Sequence, residues 1–191
     1  FTSGYVQDIT SVAEIAHRRG GLVFIDDYQG AGQVPIDVKK SDVDVLVSGG
    51  LKWLIGGPGI AYMYVKSELI DKLTPTVAGW FGNRNQFDFN PNEMVFRENA
   101  AKFETGTPSV AAIYAGAEGL RMVNEVGPIA IRKRTSELTQ HLVARLRENN
   151  FQLRTPEDPE RHASITMVEV EDPAATVRHL GGRDIIVDYR P

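Results

Sequence analysis

Apolar positions recur along this chain in two rhythms. Ile9, Val12 and Ala16, with Arg19 one turn on, follow helical spacing; Asp8 or Thr10 can cap the start and Gly20-Gly21 ends it. Leu22 to Ile25 is then a short continuous apolar run, stopped by Asp26-Asp27. Such a run predicts a strand buried on both faces, as in parallel sheets. Val43 to Val47 predicts a second strand and Ile60 to Val65 a third, with loops over Gln29 to Lys40 and the Gly56-Gly57-Pro58-Gly59 turn between them. A polar stretch over 75–107 is long for a plain connection, and long loops are often functional.

Thr107 as N-cap and Pro108 at the first position predict a helix whose stripe is Val110, Ile113, Ala117 and Leu120. Gly127-Pro128 ends it and opens another, with Ile131, Leu138, Leu142 and Leu146 as its apolar stripe. From about Phe151 the pattern shortens. Ile165 to Val170 reads as a strand, Asp172-Pro173 opens a helix ending at Gly181-Gly182, and Ile185 to Val187 reads as a strand again. Helices alternating with apolar strands make the fold class α/β. The expected division is a large domain over 1–147 and a small C-terminal one over 148–191. In such sheets ligands sit beyond the carboxyl ends of the strands, so Asp26 and the Ser48–Lys52 segment are expected to face one crevice.

Composition changes this picture little. The 191 residues are 42% hydrophobic and 24% charged, ordinary for a soluble globular chain. A net charge of −4 with no basic block argues against nucleic acid. There is no cysteine, which excludes disulfides and thiolate chemistry within these residues and fits a cytoplasmic location. No apolar run approaches the roughly 20 residues that span a bilayer, so no membrane partner is expected. His17, His141, His162 and His179 are scattered without ligand spacing, so no metal site is expected. The chain opens directly into folded-looking sequence at Phe1-Thr2-Ser3-Gly4 and stops at Pro191 in what reads as a strand, so both ends are expected to be cut from a longer protein.

Three segments could carry chemistry. Lys52 follows a buried strand and the Gly49-Gly50 pair, beside Leu51, Trp53 and Leu54. Apolar surroundings would favour a neutral amine, which can condense with an aldehyde. Asp26 ends a strand where an acid could face the ring nitrogen of a pyridine cofactor and keep it protonated. Gln29 could donate to such a cofactor's ring oxygen, and Asp27 reads as a structural neighbour. Phe103-Glu104-Thr105-Gly106-Thr107-Pro108 leads to a helix N-terminus, a natural phosphate site or an ordinary cap.

In order, these pieces resemble the class V aminotransferase superfamily. The shared run is Ile25-Asp26-Asp27-Tyr28-Gln29-Gly30-Ala31-Gly32-Gln33-Val34-Pro35-Ile36-Asp37, then Asp44-Val45-Leu46-Val47-Ser48-Gly49-Gly50-Leu51-Lys52-Trp53-Leu54, then Gly57-Pro58-Gly59. It continues through Glu104-Thr105-Gly106-Thr107-Pro108, and the Asp26-to-Lys52 interval is 26 positions (52 − 26). The resemblance implies part of the fold type I large domain, a mainly parallel sheet flanked by helices, plus the start of a small α+β C-terminal domain. It implies pyridoxal 5′-phosphate (PLP) as cofactor, an amino acid as substrate, and Lys52 as the Schiff-base residue. Asp26 becomes the pyridine-nitrogen partner and Gln29 the contact to the ring oxygen. Thr107, with Gly106 allowing close approach, would reach the phosphate in the neighbouring subunit of a homodimer with shared active sites.

The particular reaction stays open between an aminotransferase, a kynureninase-like hydrolase and a cysteine desulfurase or lyase. Desulfurases usually place His before the Lys and often Ser two residues before that His; here these are Leu51 and Gly49. Their catalytic Cys would fall just past Pro191. Gly79-Trp80-Phe81-Gly82 and Asp188-Tyr189-Arg190-Pro191 look kynureninase-like, but that group carries Tyr before the Lys and Asn where Thr107 stands. Trp80 could line a substrate pocket or simply pack in its loop, and Arg97 and Arg190 could meet a carboxylate. A competing reading is a non-catalytic binding protein or inactive fragment. A nucleotide-binding module is disfavoured because neither Gly-x-Gly-x-x-Gly nor Gly-x4-Gly-Lys-Ser/Thr occurs.

Overall fold

The computed structural model describes residues 2–190. They form two compact units, one of residues 8–127 and one of 2–7 with 128–190. The division falls at Gly127–Pro128 instead of the expected 147/148, so the second long helix groups with the later segment.

In the unit of residues 8–127, helix α1 (Ile9–His17) is capped by Asp8, whose carboxylate accepts from Ser11 N at 3.0 Å. Its chain reverses at Gly20, where φ is +71°. Strands β1 (Phe24–Asp26), β2 (Val45–Gly49) and β3 (Ala61–Val65) follow. β1 pairs parallel with β2 and β3 pairs antiparallel with β2, in the order β1-β2-β3. The sheet is therefore mixed: the chain returns from β2 to β3 through residues 50–60, whereas the β1–β2 crossover, residues 27–44, is longer, as a parallel connection requires.

One face carries Ile25, Leu46 and Tyr64 in register and packs with Val12, Ala13 and Ala16 of α1 around Val23 and Val43. On the other face Val45 and Val65 pack with Leu69 of the short helix α2 (Ser67–Ile70) and with Leu73 and Phe103. Phe24 and Met63 on that face are 63% and 41% exposed. β1 is thus not buried on both faces, as its apolar run predicts, because nothing among the described residues covers its Phe24 side.

Helix α3 (Val110–Val126) starts two positions later than predicted, with Ser109 as N-cap; Pro108 therefore precedes the helix. Its buried face is Ala112, Gly116, Gly119 and Val123, and the predicted stripe residues Val110 and Ile113 are exposed. A Cβ at Gly119 would stand 2.3 Å from Leu54 O, and one at Gly56 would stand 2.8 Å from Gly116 Cα. Backbone meets backbone here, and glycine is what permits it.

In the other unit, helix α4 (Pro128–Glu148) buries Thr139 and Val143, while Leu138 and Leu142 are exposed. Arg132 donates to Pro159 O at 3.1 Å and His162 O at 2.8 Å, tying α4 to the single helical turn Pro159–Arg161. Helix α5 (Pro173–Gly181) is capped by Asp172, which accepts from Ala175 N at 2.8 Å. The two strands expected around it do not form. The 165–170 segment makes one bridge, Leu153 to Val168, and 185–187 makes none, with Ile186 97% exposed. An apolar run becomes a strand only where a neighbour satisfies its backbone groups along its length; beside 165–170 the 152–154 segment supplies just two backbone bonds, Arg154 N to Met167 O at 3.0 Å and Glu169 N to Gln152 O at 2.9 Å. Among the described residues no helix is long and apolar enough to cross a membrane.

Candidate active site

Parallel pairing sets Asp26 opposite Val47, so the segments that follow β1 and β2 leave the same end of the sheet. After β1 the chain turns through Asp27–Ala31, with Gly30 N and Ala31 N both donating to Asp27 O at 3.1 Å. Gly32, at φ +95°, brings this turn against the backbone that follows Lys52: a Cβ there would sit 2.4 Å from Trp53 O. After β2, Gly50 N donates to Ile60 O at 3.0 Å and Gly56 N to Gly50 O at 2.7 Å. These bonds close a loop with Lys52 on its crest.

Tyr28 joins the two segments. Its ring lies where a Cβ on Gly49 would be, 1.9 Å from Cε2, and the Lys52 ammonium stands 4.8 Å from the ring centroid. That distance allows a cation–π attraction. Asp26 Oδ1 accepts from Tyr28 N at 3.0 Å, which fixes the carboxylate at the head of the turn. The buried Gln33 side chain donates to Gln29 O and holds the next residue of the turn. Lys52 is exposed, and Leu51 beside it is 48% exposed while Leu54 turns into the core. The dry surroundings expected from Leu51, Trp53 and Leu54 are therefore not what these three supply; the flank of the amine is Tyr28.

Asp27 differs from its neighbour. Burial, then the adjacent Asp26 charge, raise its carboxyl from the ordinary 3.8 to about 7. Its carboxylate lies under Gly30, where a Cβ would be 2.1 Å from Oδ1, and its carbonyl accepts from the buried Ser48 hydroxyl at 3.3 Å.

The remaining sequence candidates stand apart in their contacts. Thr107 is exposed and does not cap α3, and Gly106 has open space around the position of a Cβ. Trp80 begins a single helical turn, Trp80–Gly82, strapped to the segment that leads into α3: Phe81 N donates to Thr105 O at 3.2 Å. Arg97 is used inside that loop, donating to Phe81 O at 2.9 Å and to Gln86, so it is structural. Arg190 pairs with Asp188. Among the described residues no cluster of three or more His, Asp or Glu could hold a metal.

Comparison with known proteins gives this site its class. The family model for class V aminotransferases matches residues 2–188, and the chain belongs to that family. It is 41% identical over 153 residues to an uncharacterized aminotransferase, YcbU, of Bacillus subtilis, covering 80% of this chain and 40% of that protein. It is 26% identical to a kynureninase of Pseudomonas fluorescens, over 100% of this chain and 47% of the relative. In fold it is similar to a cysteine desulfurase of Thermococcus onnurineus, with a TM-score of 0.87 and 24% identity over 96% of this chain and 46% of that one. The chain spans about half the length of the curated relatives it matches, 40% and 47% of the first two. The fold is that of PLP-dependent fold type I enzymes, and PLP is the cofactor of these relatives.

The donor set of this chain suits that cofactor. An acid at a strand end, a neighbouring turn with a side-chain amide, and an amine over the Tyr28 ring all lie beyond one end of the sheet. Tyr28 and Gln33 went unrecognised in the sequence. The signal for Tyr28 was the glycine at 49, opposite an aromatic in a neighbouring turn; nothing local marked Gln33.

Proposed function

We propose that this chain is the cofactor-bearing part of a PLP-dependent enzyme acting on an amino acid, with Lys52 as the residue that joins the cofactor's aldehyde carbon. The observation that carries the reading is the placement of Lys52 on a closed glycine-flanked loop, over the ring of the residue two positions after Asp26. PLP, when bound, supplies an electron sink for charge developing at the substrate Cα.

In this reading Asp26 holds a proton at the ring nitrogen and Gln29 donates to the ring oxygen. Lys52 moves the proton at the substrate Cα, and Tyr28 keeps its amine oriented between uses. Gly106 and Thr107 reach the phosphate held by a second copy, which makes the working form a homodimer, and the enzyme works in the cytoplasm. Transamination is favoured over desulfuration: the Tyr28 ring fills the room that a serine at position 49 would need, so one recurring desulfurase feature cannot be accommodated here.

Replacing Lys52 tests this. Lys52→Ala should abolish the visible absorption band that PLP gives on binding, with the far-ultraviolet dichroism unchanged. Asp26→Asn should keep a band but lower turnover about 10²-fold or more, as expected when a charge-stabilising partner is lost. A Lys52→Ala protein that binds PLP with an unaltered band would refute the assignment.

A further inference from the structure

The loop that bears Lys52 contains a backbone conformation that its sequence disfavours. Among the described residues, five non-glycine positions stand at positive φ: Asp42, Ile55, Phe89, Asn150 and Asp184. Asp and Asn enter that region most readily, whereas a β-branched residue there is a genuine outlier. Ile55, at φ +47°, is the β-branched one, and it lies three residues after Lys52. Packing does not offset the strain, because Ile55 is 54% exposed.

The neighbouring residues hold the outlier in place. Ile55 N donates to Lys52 O at 3.0 Å, closing a turn that starts at the lysine, and Gly56 N donates to Gly50 O at 2.7 Å. Leu54 is buried, and the backbone after it lies flush on α3: a Cβ at Gly119 would stand 2.8 Å from both Ile55 C and Gly56 N. The Gly32 turn meets Trp53 O from a further segment. Strained residues persist only where their surroundings over-determine them, and they collect where function needs a fixed geometry.

Lys52 gives that geometry a use. Its side chain is long, flexible and exposed, yet its ammonium stands 4.8 Å from the Tyr28 ring centroid. A cation–π contact at an exposed site is weak, so it places the amine only if the backbone beneath is already fixed.

We propose that Ile55 is a positioning residue: its branched side chain in left-handed backbone stiffens the 52–56 turn and so sets the Lys52 amine over Tyr28. The use of that placement rests on the PLP reading; the placement itself can be measured without cofactor. Glycine at 55 would accept φ +47° without strain but would open other conformations to the turn. Valine keeps the branch and its stiffness.

The first measurement is made on the protein without PLP. In protein carrying isotope-labelled lysine, the Lys52 ε-methylene resonances, assigned through Lys52→Arg, should be displaced by the Tyr28 ring current. Tyr28→Leu should remove that displacement. Ile55→Gly should lose most of it while its urea midpoint falls no lower than the parent's, and Ile55→Val should keep both. On adding PLP, the visible band should grow about tenfold more slowly or worse in Ile55→Gly, and at the parent's rate in Ile55→Val. No displacement in the parent, an unchanged one in Ile55→Gly, or a valine variant that behaves like the glycine one would overturn the proposal. So would a lower urea midpoint in Ile55→Gly, which would make Ile55 a packing residue. A displacement lost only in Ile55→Gly, in a parent that never joins PLP at Lys52, would keep the positioning and sink the cofactor reading. Equal labelling of Lys52 in the parent and in Ile55→Gly would do the opposite.

Discussion

Gly49 admits no side chain, because a Cβ there would stand 1.9 Å from the Tyr28 ring that flanks Lys52. Gly49→Ser should therefore displace Tyr28 and destabilise the fold, and Tyr28→Ala should relieve most of that cost. Chemical denaturation of both single variants and the double variant gives the coupling, expected at about 1–3 kcal/mol. The adjacent Asp27 makes a second prediction. Its folded carboxyl titrates near 7 against an ordinary 3.8, so between those values the folded chain holds a proton that the unfolded chain has released. Stability from this group is present in acid and lost as pH rises through 7. Asp27→Asn should flatten that slope and exceed the parent at about pH 8 by about 1–2 kcal/mol, a figure reduced from the full shift because the group is partly exposed. Lys52, Asp26 and Gln29 were legible as an ordered motif; the Asp27 environment was not, since burial of a carboxyl depends on what the 27–31 turn folds over it.

At the scale of elements, periodicity identified α1, α3, α4 and α5, and located β1, β2 and β3 to within two residues. It misread which face of α3 is buried. Counting large apolar residues picks out Val110 and Ile113, but the contact surface is Ala112, Gly116 and Gly119, where smallness decides. Gly119→Ala should cost about 1–3 kcal/mol, because its methyl would stand 2.3 Å from Leu54 O, on backbone that cannot easily yield. Urea unfolding measures it, and a neutral result would mean that α3 can lift from the 54–56 loop. In α4 the same bias promoted Leu138 and Leu142 over Thr139, whose hydroxyl is satisfied within the helix by Thr135 O at 2.8 Å. The runs at 165–170 and 185–187 read as strands for a related reason: local pattern reports apolar content, whereas a strand needs a partner along its length, and 165–170 meets one at a single bridge, Leu153 to Val168.

For the whole molecule, α/β class and family were legible because ordered short motifs survive where overall identity falls to 26%. The mixed character of the sheet was not, since a strand run looks alike in either direction and only the path of the 50–60 connection reverses β3. The central claim is the attachment of PLP at Lys52, and one measurement bears on it most directly. The protein is loaded with PLP, reduced with borohydride, digested, and the labelled peptide mapped by mass spectrometry. The account predicts a single stoichiometric label on Lys52. A label spread over exposed lysines such as Lys40 and Lys72, or none at all, would contradict it.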